Sequence, residues 1–305
     1  MRVARAEVME TLVEMGRPGL VRPKKGRAEV AINPELKQEQ QDELRQLMDK
    51  HRQAFRNSVD EVGVAQNRWV VIDLIDKNPV TSGKSRRIPL HKRQVVWNHI
   101  QELYKPGAIE PSRSPYCSGV VCVFKDLNAR TTDDGYQLPL VEDQLAVLTG
   151  SQWFTKLDMY QRYPQLWLAP EAKAKTAFNV EGEHWQYTVL PFGLKNGSAA
   201  FARFVFEIVG DLQRNGRPVA EFFEDIFIGG NTWQEHVGLV TEVFSRLEKS
   251  DGVVKAAKAQ LGMTSIECLG VLVGRGSDRI RRKWRQIKAS RDRRPRKSLE
   301  DFQGC

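Results

Sequence analysis

An α+β fold is predicted for this 305-residue chain by three observations. Long stretches carry apolar residues at helical spacing. Between residues 115 and 230, short β-branched and aromatic runs are separated by turn signals. The two kinds of element do not alternate as regular βαβ units, which argues against a doubly wound parallel sheet. Hydrophobic residues make up 41% of the chain, enough for the core of one large domain or two ordinary ones.

Residues 1–33 are polar, basic and interrupted by Gly and Pro, and read as a weakly ordered arm. "NPELKQEQQDELRQLMDKHRQAF" then places Leu36, Leu44, Leu47 and Phe55 near helical spacing, with Pro34 close to the start. "NRWVVIDLID" has strand character. "HKRQVVWNHIQELYKPGAIE" carries Val95, Val96, Ile100 and Leu103 on one stripe and ends at Pro106-Gly107. "SGVVCVFK", "QWFTKLDM", "HWQYTVLPF" and the two arms flanking Glu224-Asp225 read as strands. "NGSAAFARFVFEIVGDLQRNG" is an amphipathic helix ending at Asn215-Gly216. "TWQEHVGLVTEVFSRLEKSDG" is another, with Thr232 as cap and Gly252 as stop. The basic "RIRRKWRQIKASRDRRPRKSLED" reads as a solvated helix or a tail.

A net charge of +9 and a pI near 9.4 favour a polyanionic partner, with nucleic acid the default candidate. Cys117, Cys122, Cys268 and Cys305 form no disulfide framework, and the first two lack the second pair that a zinc site needs. No apolar h-region follows Met1 and no run approaches membrane-spanning length. The expectation is an intracellular protein, cytoplasmic or nuclear, not secreted and without a membrane partner.

"AEFFEDIFIGG" sets Glu224 and Asp225 between Phe222, Phe223, Ile226 and Phe227. Ionised carboxylates are costly to bury uncompensated. Either the acids form a turn exposed to water, or cations neutralise them in a site. Asp158 ends the strand "WFTKLD", so three carboxylates can converge where two strands meet. Such a set suits two Mg²⁺ ions, which take hard oxygen ligands and can stabilise the attacking and leaving oxygens of phosphoryl transfer. On spacing alone ordinary turn chemistry is the more frequent explanation of the acidic pair, and Asp158 by itself reads as a strand-end capping residue.

From about residue 50 onward the chain resembles the reverse transcriptase of gypsy-type long-terminal-repeat retrotransposons. "GAIEPSRSPYCSGVVCVFK" resembles the fingers entry segment. The run from "LNARTTDDGYQLPL" through "LPFGLKNGSAAF" resembles the palm. "FFEDIFIGGNTWQEHVGLVTEVFSRLEKSDG" resembles the polymerase acidic hairpin with its following helix, and "IECLGVLVG" the primer-holding turn. The resemblance implies a palm and fingers core, an antiparallel sheet backed by helices, over residues 50–275. Residues 1–49 would be a basic arm and helix, and 276–305 a truncated basic segment. It further implies RNA-directed DNA polymerisation using Mg²⁺, or Mn²⁺ in its place, with a primed RNA or DNA template and deoxynucleoside triphosphates. Asp158, Glu224 and Asp225 would be the catalytic metal ligands. Tyr163, Phe192 and Gly193 would bind nucleotide, with Tyr163 flooring the sugar. Leu269 and Gly270 would grip the primer.

Departures from the pattern imply impaired catalysis. Glu224 stands where the family has Asp, and Phe222 where it has Tyr. "VFKDLN" runs straight through a point, between Lys125 and Asp126, where the family carries a basic fingers hairpin that clamps the triphosphate. Arg162 replaces a small residue beside Tyr163, and Pro164 and Ser198 also differ. The rival reading is a non-catalytic nucleic-acid-binding remnant of a retroelement polyprotein.

Overall fold

The computed structural model describes residues 30–56, 68–76, 78–81, 88–118, 124–137, 139–160, 163–268 and 270–275. The basic segment at 279–301, most of the arm, Arg162 and Leu269 lie outside these residues. The fold is α+β. Its central sheet has five strands in the order Ala31–Ile32, Gln260–Met263, Phe154–Asp158, Asp225–Ile228, Val219–Phe222. All pairings are antiparallel except that of Ala31–Ile32, which runs parallel to Gln260–Leu261.

Side chains alternate across this sheet and divide its packing. On one face Leu157, Val219, Ile226 and Ile228 join Phe201, Phe204, Val205 and Ile208 of the helix Gly197–Arg214. The same cluster takes in Leu239, Val240, Val243 and Phe244 of the helix Trp233–Lys249. On the other face Phe154, Ala220 and Phe227 pack with Leu145, Leu148 and the hairpin residues Ile266, Cys268, Val271 and Val273. A smaller three-stranded sheet, Ile109–Pro111, Glu183–Tyr187 and Phe178–Val180, surrounds Trp185.

Helix ends follow their local signals. Thr232 accepts from the Glu235 amide, and the Glu235 side chain returns to the Thr232 amide, a complete capping box. Thr232→Ala is therefore expected to cost about 1 kcal/mol in urea unfolding, with helix content retained.

Several expectations are corrected. The first helix spans Gln38–Lys50, not the whole stretch to Phe55. Phe55 instead starts a short strand parallel to Val254–Lys255, its ring edge-on to Phe244, so its apolarity reports a core contact and not helical phase. Only Trp69–Val70 of the expected strand at 67–76 is regular. In the helix Leu90–Tyr104 Ile100 is buried while Val95 is exposed, so the stripe is narrower than its spacing implied. Lys125 opens a short helix, Lys125–Arg130, while residues 119–123 of the expected strand "SGVVCVFK" lie outside the described residues. The helices Val141–Val147 and Pro170–Lys175 were not anticipated. No described helix is long and apolar enough to cross a membrane.

Candidate active site

The strand Phe154–Asp158 and the hairpin arm Asp225–Ile228 place Asp158 directly opposite Asp225. The Met159 amide donates to the Glu224 carbonyl at 2.8 Å. That bond makes 158/225 a non-hydrogen-bonded pair, the kind whose side chains lie closer together. Parity puts both carboxylates on the face away from the two long helices, because their neighbours Leu157 and Ile226 point into the helical core. The apolar residues around "FFEDIF" are thereby accounted for: Ile226 and Phe227 are buried on opposite faces while the acids sit at the sheet's mouth. Phe222 pairs with Asp225, leaving Phe223 and Glu224 as a two-residue turn. Phe223 has φ 55°, a left-handed conformation that a bulky residue adopts only under constraint.

Two lysines neutralise the aspartates. Lys156 Nζ lies 3.2 Å from Asp225 Oδ2 and over the Phe227 ring at 5.3 Å from its centre. Lys258 Nζ lies 2.9 Å from Asp158 Oδ2. Burial raises the Asp225 carboxyl above the usual carboxylate range, against the opposing pull of Lys156. The hydrogen bond to Asp158 raises Lys258, and the charges of Asp225 and Glu224 act in the same direction. All three predicted acids thus bear on one ammonium. The donor set suits a hard divalent cation in part. Asp158 and Asp225 present oxygens side by side, and Asp225 Oδ1 is buried without a hydrogen-bond partner. Among the described residues, however, no three His, Cys, Asp or Glu side chains are grouped to hold one ion.

Tyr163 opens the short turn Tyr163–Gln165, with its ring 5.1 Å from that of Phe192 and 6.1 Å from that of Phe201. Phe192 is half exposed, so one side of this stack is open. The buried Gln165 fixes the turn: the Val253 amide donates to its Oε1 at 2.8 Å, and its own amide donates to the Tyr160 carbonyl. Gly193 has φ 89°, and Asn128 holds it by donating to its carbonyl at 2.7 Å while accepting from the Lys195 amide at 2.8 Å. Gly270, φ 75°, turns the hairpin Ser265–Cys268/Val271–Gly274 behind the central sheet. Tyr163, Phe192 and Gly193 therefore form one cluster, and Asp158 and Asp225 another.

Sequence reasoning missed Lys156, Lys258, Asn128 and Glu221. Lys156 was findable, since a strand residue two before Asp158 shares its face. Lys258 carries no local signal; it arrives because the strand Gln260–Met263 lies beside Phe154–Asp158. Glu221, a charge within the apolar arm "VAEF", is 4% exposed, and burial pushes its carboxyl up to about 8.

In sequence and in fold the chain is similar to known proteins. The "Retrovirus-related Pol polyprotein from transposon opus" of Drosophila melanogaster is 27% identical over 93% of this chain and 30% of its own length. The corresponding gypsy polyprotein is 28% identical over 76% of the chain and 24% of its own length. The "Enzymatic polyprotein" of Figwort mosaic virus is 27% identical over 81% and 39%. The chain thus spans well under half the length of these relatives. In fold it is similar to the foamy viral protease-reverse transcriptase in complex with RNA/DNA hybrid, with a TM-score of 0.69 at 18% identity over 83% of this chain and 37% of that one. The sequence model for "Reverse transcriptase (RNA-dependent DNA polymerase)" matches residues 112–273, more than half of the chain, and the protein belongs to that family.

Proposed function

We propose that this chain is the polymerase module, residues 50–275, of a gypsy-type retrotransposon polyprotein, built for RNA-directed DNA synthesis on a primed template from deoxynucleoside triphosphates. The observation that carries the reading is the register of Asp158 against Asp225 at the mouth of a strained hairpin. In this reading Asp158, Glu224 and Asp225 hold Mg²⁺ or Mn²⁺, which when bound supplies charge stabilisation to the oxygens of phosphoryl transfer. Tyr163 and Phe192 offer an aromatic surface to the nucleotide, Gly193 lets the backbone turn beside it, and Leu269 and Gly270 have the role of gripping the primer. Asn128 is a positioning residue for the Phe192-Gly193 turn.

Catalysis is impaired in this reading. One extra methylene at Glu224 displaces a carboxylate by about 1 Å, which costs roughly a hundredfold. A second reading, nucleic-acid binding without chemistry, is favoured by the helix Lys125–Arg130, which runs straight across the point where a triphosphate-clamping hairpin is expected.

Two measurements on the same preparation test these readings. Filter binding to an RNA–DNA primer–template is expected to weaken by about 10³-fold between 50 and 200 mM salt, as about six phosphate contacts require. Affinity independent of salt would remove the basis for both readings. Single-turnover extension is expected to be slow in the wild type and to rise by up to about a hundredfold in Glu224→Asp. Binding with no extension by either protein would decide for the second reading.

A further inference from the structure

The two lysines at the acid cluster differ in how firmly they are held. Lys156 is 23% exposed, its ammonium lies over the Phe227 ring, and it stands within the sheet on the strand that carries Asp158. Lys258 is 56% exposed and ends the short turn Ala256–Lys258, outside the sheet ladder. Its partner Asp158 is only 14% exposed. An exposed lysine pays side-chain entropy to hold one geometry, and its ion pair is correspondingly weak. Lys258 is nevertheless bonded to Asp158 and also feels the charges of Asp225 and Glu224.

We propose that Lys258 is a displaceable resident cation of the acid cluster: it holds Asp158 until a divalent ion takes that carboxylate, while Lys156 remains the fixed counter-ion of Asp225. This rests on the metal-binding reading of the three acids and adds to it a competitor built into the chain. Opposed like charges across a strand pair are destabilising. Without Lys258 the cluster would gain affinity for any other cation, and the strand ends would be less stable until one bound. Arginine at 258 would keep the charge and the competition.

The test is a titration of the full chain with Mn²⁺ alone, free ion being read by its electron paramagnetic resonance signal. Wild type, Lys258→Met, Lys258→Gln and Lys258→Arg are compared, with circular dichroism confirming the fold. Removing one positive charge a few ångströms from a divalent ion in a solvated site is expected to tighten binding about tenfold in the Met and Gln variants. The Arg variant should stay near wild type. Melting temperatures of the Met and Gln variants should start below that of the wild type and recover as Mn²⁺ is added. Wild-type binding that is unchanged or weakened in the Met and Gln variants overturns the displacement proposal alone. No binding by any of the four proteins overturns the metal-binding reading together with it.

Discussion

Asp158→Asn is expected to lower primer extension by about 10³-fold, in the wild type and more clearly in the Glu224→Asp background. The substitution keeps size and shape while removing the charge. Asp158 lies opposite Asp225 and is bonded to Lys258, so the lost group is one of the two carboxylates that this strand pair sets opposite each other. Charge stabilisation by a bound divalent ion contributes several kcal/mol to phosphoryl transfer, and 1.36 kcal/mol is a factor of ten. The fold should survive, because the change also removes a like-charge opposition across the strand pair. Asp133→Asn is the control: Asp133 is an exposed acid paired with Lys195 at 2.9 Å and should leave extension unchanged. Extension within threefold of the parent in Asp158→Asn would make Asp158 a strand-end residue and nothing more.

Glu221→Gln should change the pH dependence of stability. Glu221 lies on the helix-packed face of the hairpin, opposite Ile226, with its Oε2 unbonded and its amide donating to Gln144. Its carboxyl rises from 4.5 to about 8 through burial. The folded state therefore keeps the proton that the unfolded chain releases, so stability is full below about pH 4.5 and is lost as pH rises towards 8. Glutamine cannot ionise. The stability of Glu221→Gln relative to wild type should grow by about 3 kcal/mol between pH 5 and pH 8, measured by urea unfolding at each pH. A constant difference between the two proteins would show that Glu221 reaches water. His236 acts in the opposite sense. Burial lowers its pKa to about 4, against the opposing bond to the Gly229 carbonyl at 3.2 Å, and its other ring nitrogen meets the Thr155 hydroxyl at 2.9 Å. Its contribution is full above about 6.5 and is lost as pH falls towards 4. Together the two groups flatten stability between about pH 4.5 and 6.5 and leave Glu221 to set the alkaline decline.

What the sequence made legible was whatever is written locally. The arms flanking Glu224-Asp225, the Thr232 cap and the helix stop at Asn215-Gly216 all lie in short windows. The structure reproduces each: the helix ends at Arg214 and Gly216 has φ 74°. The convergence of Asp158 with the hairpin followed from strand ends and was realised for two of the three carboxylates. Long-range pairing left no such trace. Ala31 pairs with Gln260 and Lys258 reaches Asp158, contacts created by sheet order and not by any neighbouring residue. The helix Pro170–Lys175 does carry local start signals, Pro at its first position and Glu in its first turn. Helical spacing does not distinguish Phe55, which packs on Phe244 in a strand, or Val95, which faces solvent, from residues of one buried helical face.

The register that brings Asp158 to Asp225 also orders which genetic lesions the site can survive. One codon inserted within 155–158 or 225–228 would turn an aspartate to the opposite face of the sheet. Two codons would restore the face but carry the carboxylate about 7 Å along the strand. The junction between Lys125 and Asp126 lies in a helix that takes no part in this ladder, and Asn128 just beyond it still clasps Gly193. A deletion at that junction would therefore leave the acids aligned, whereas a single added codon in either strand would separate them.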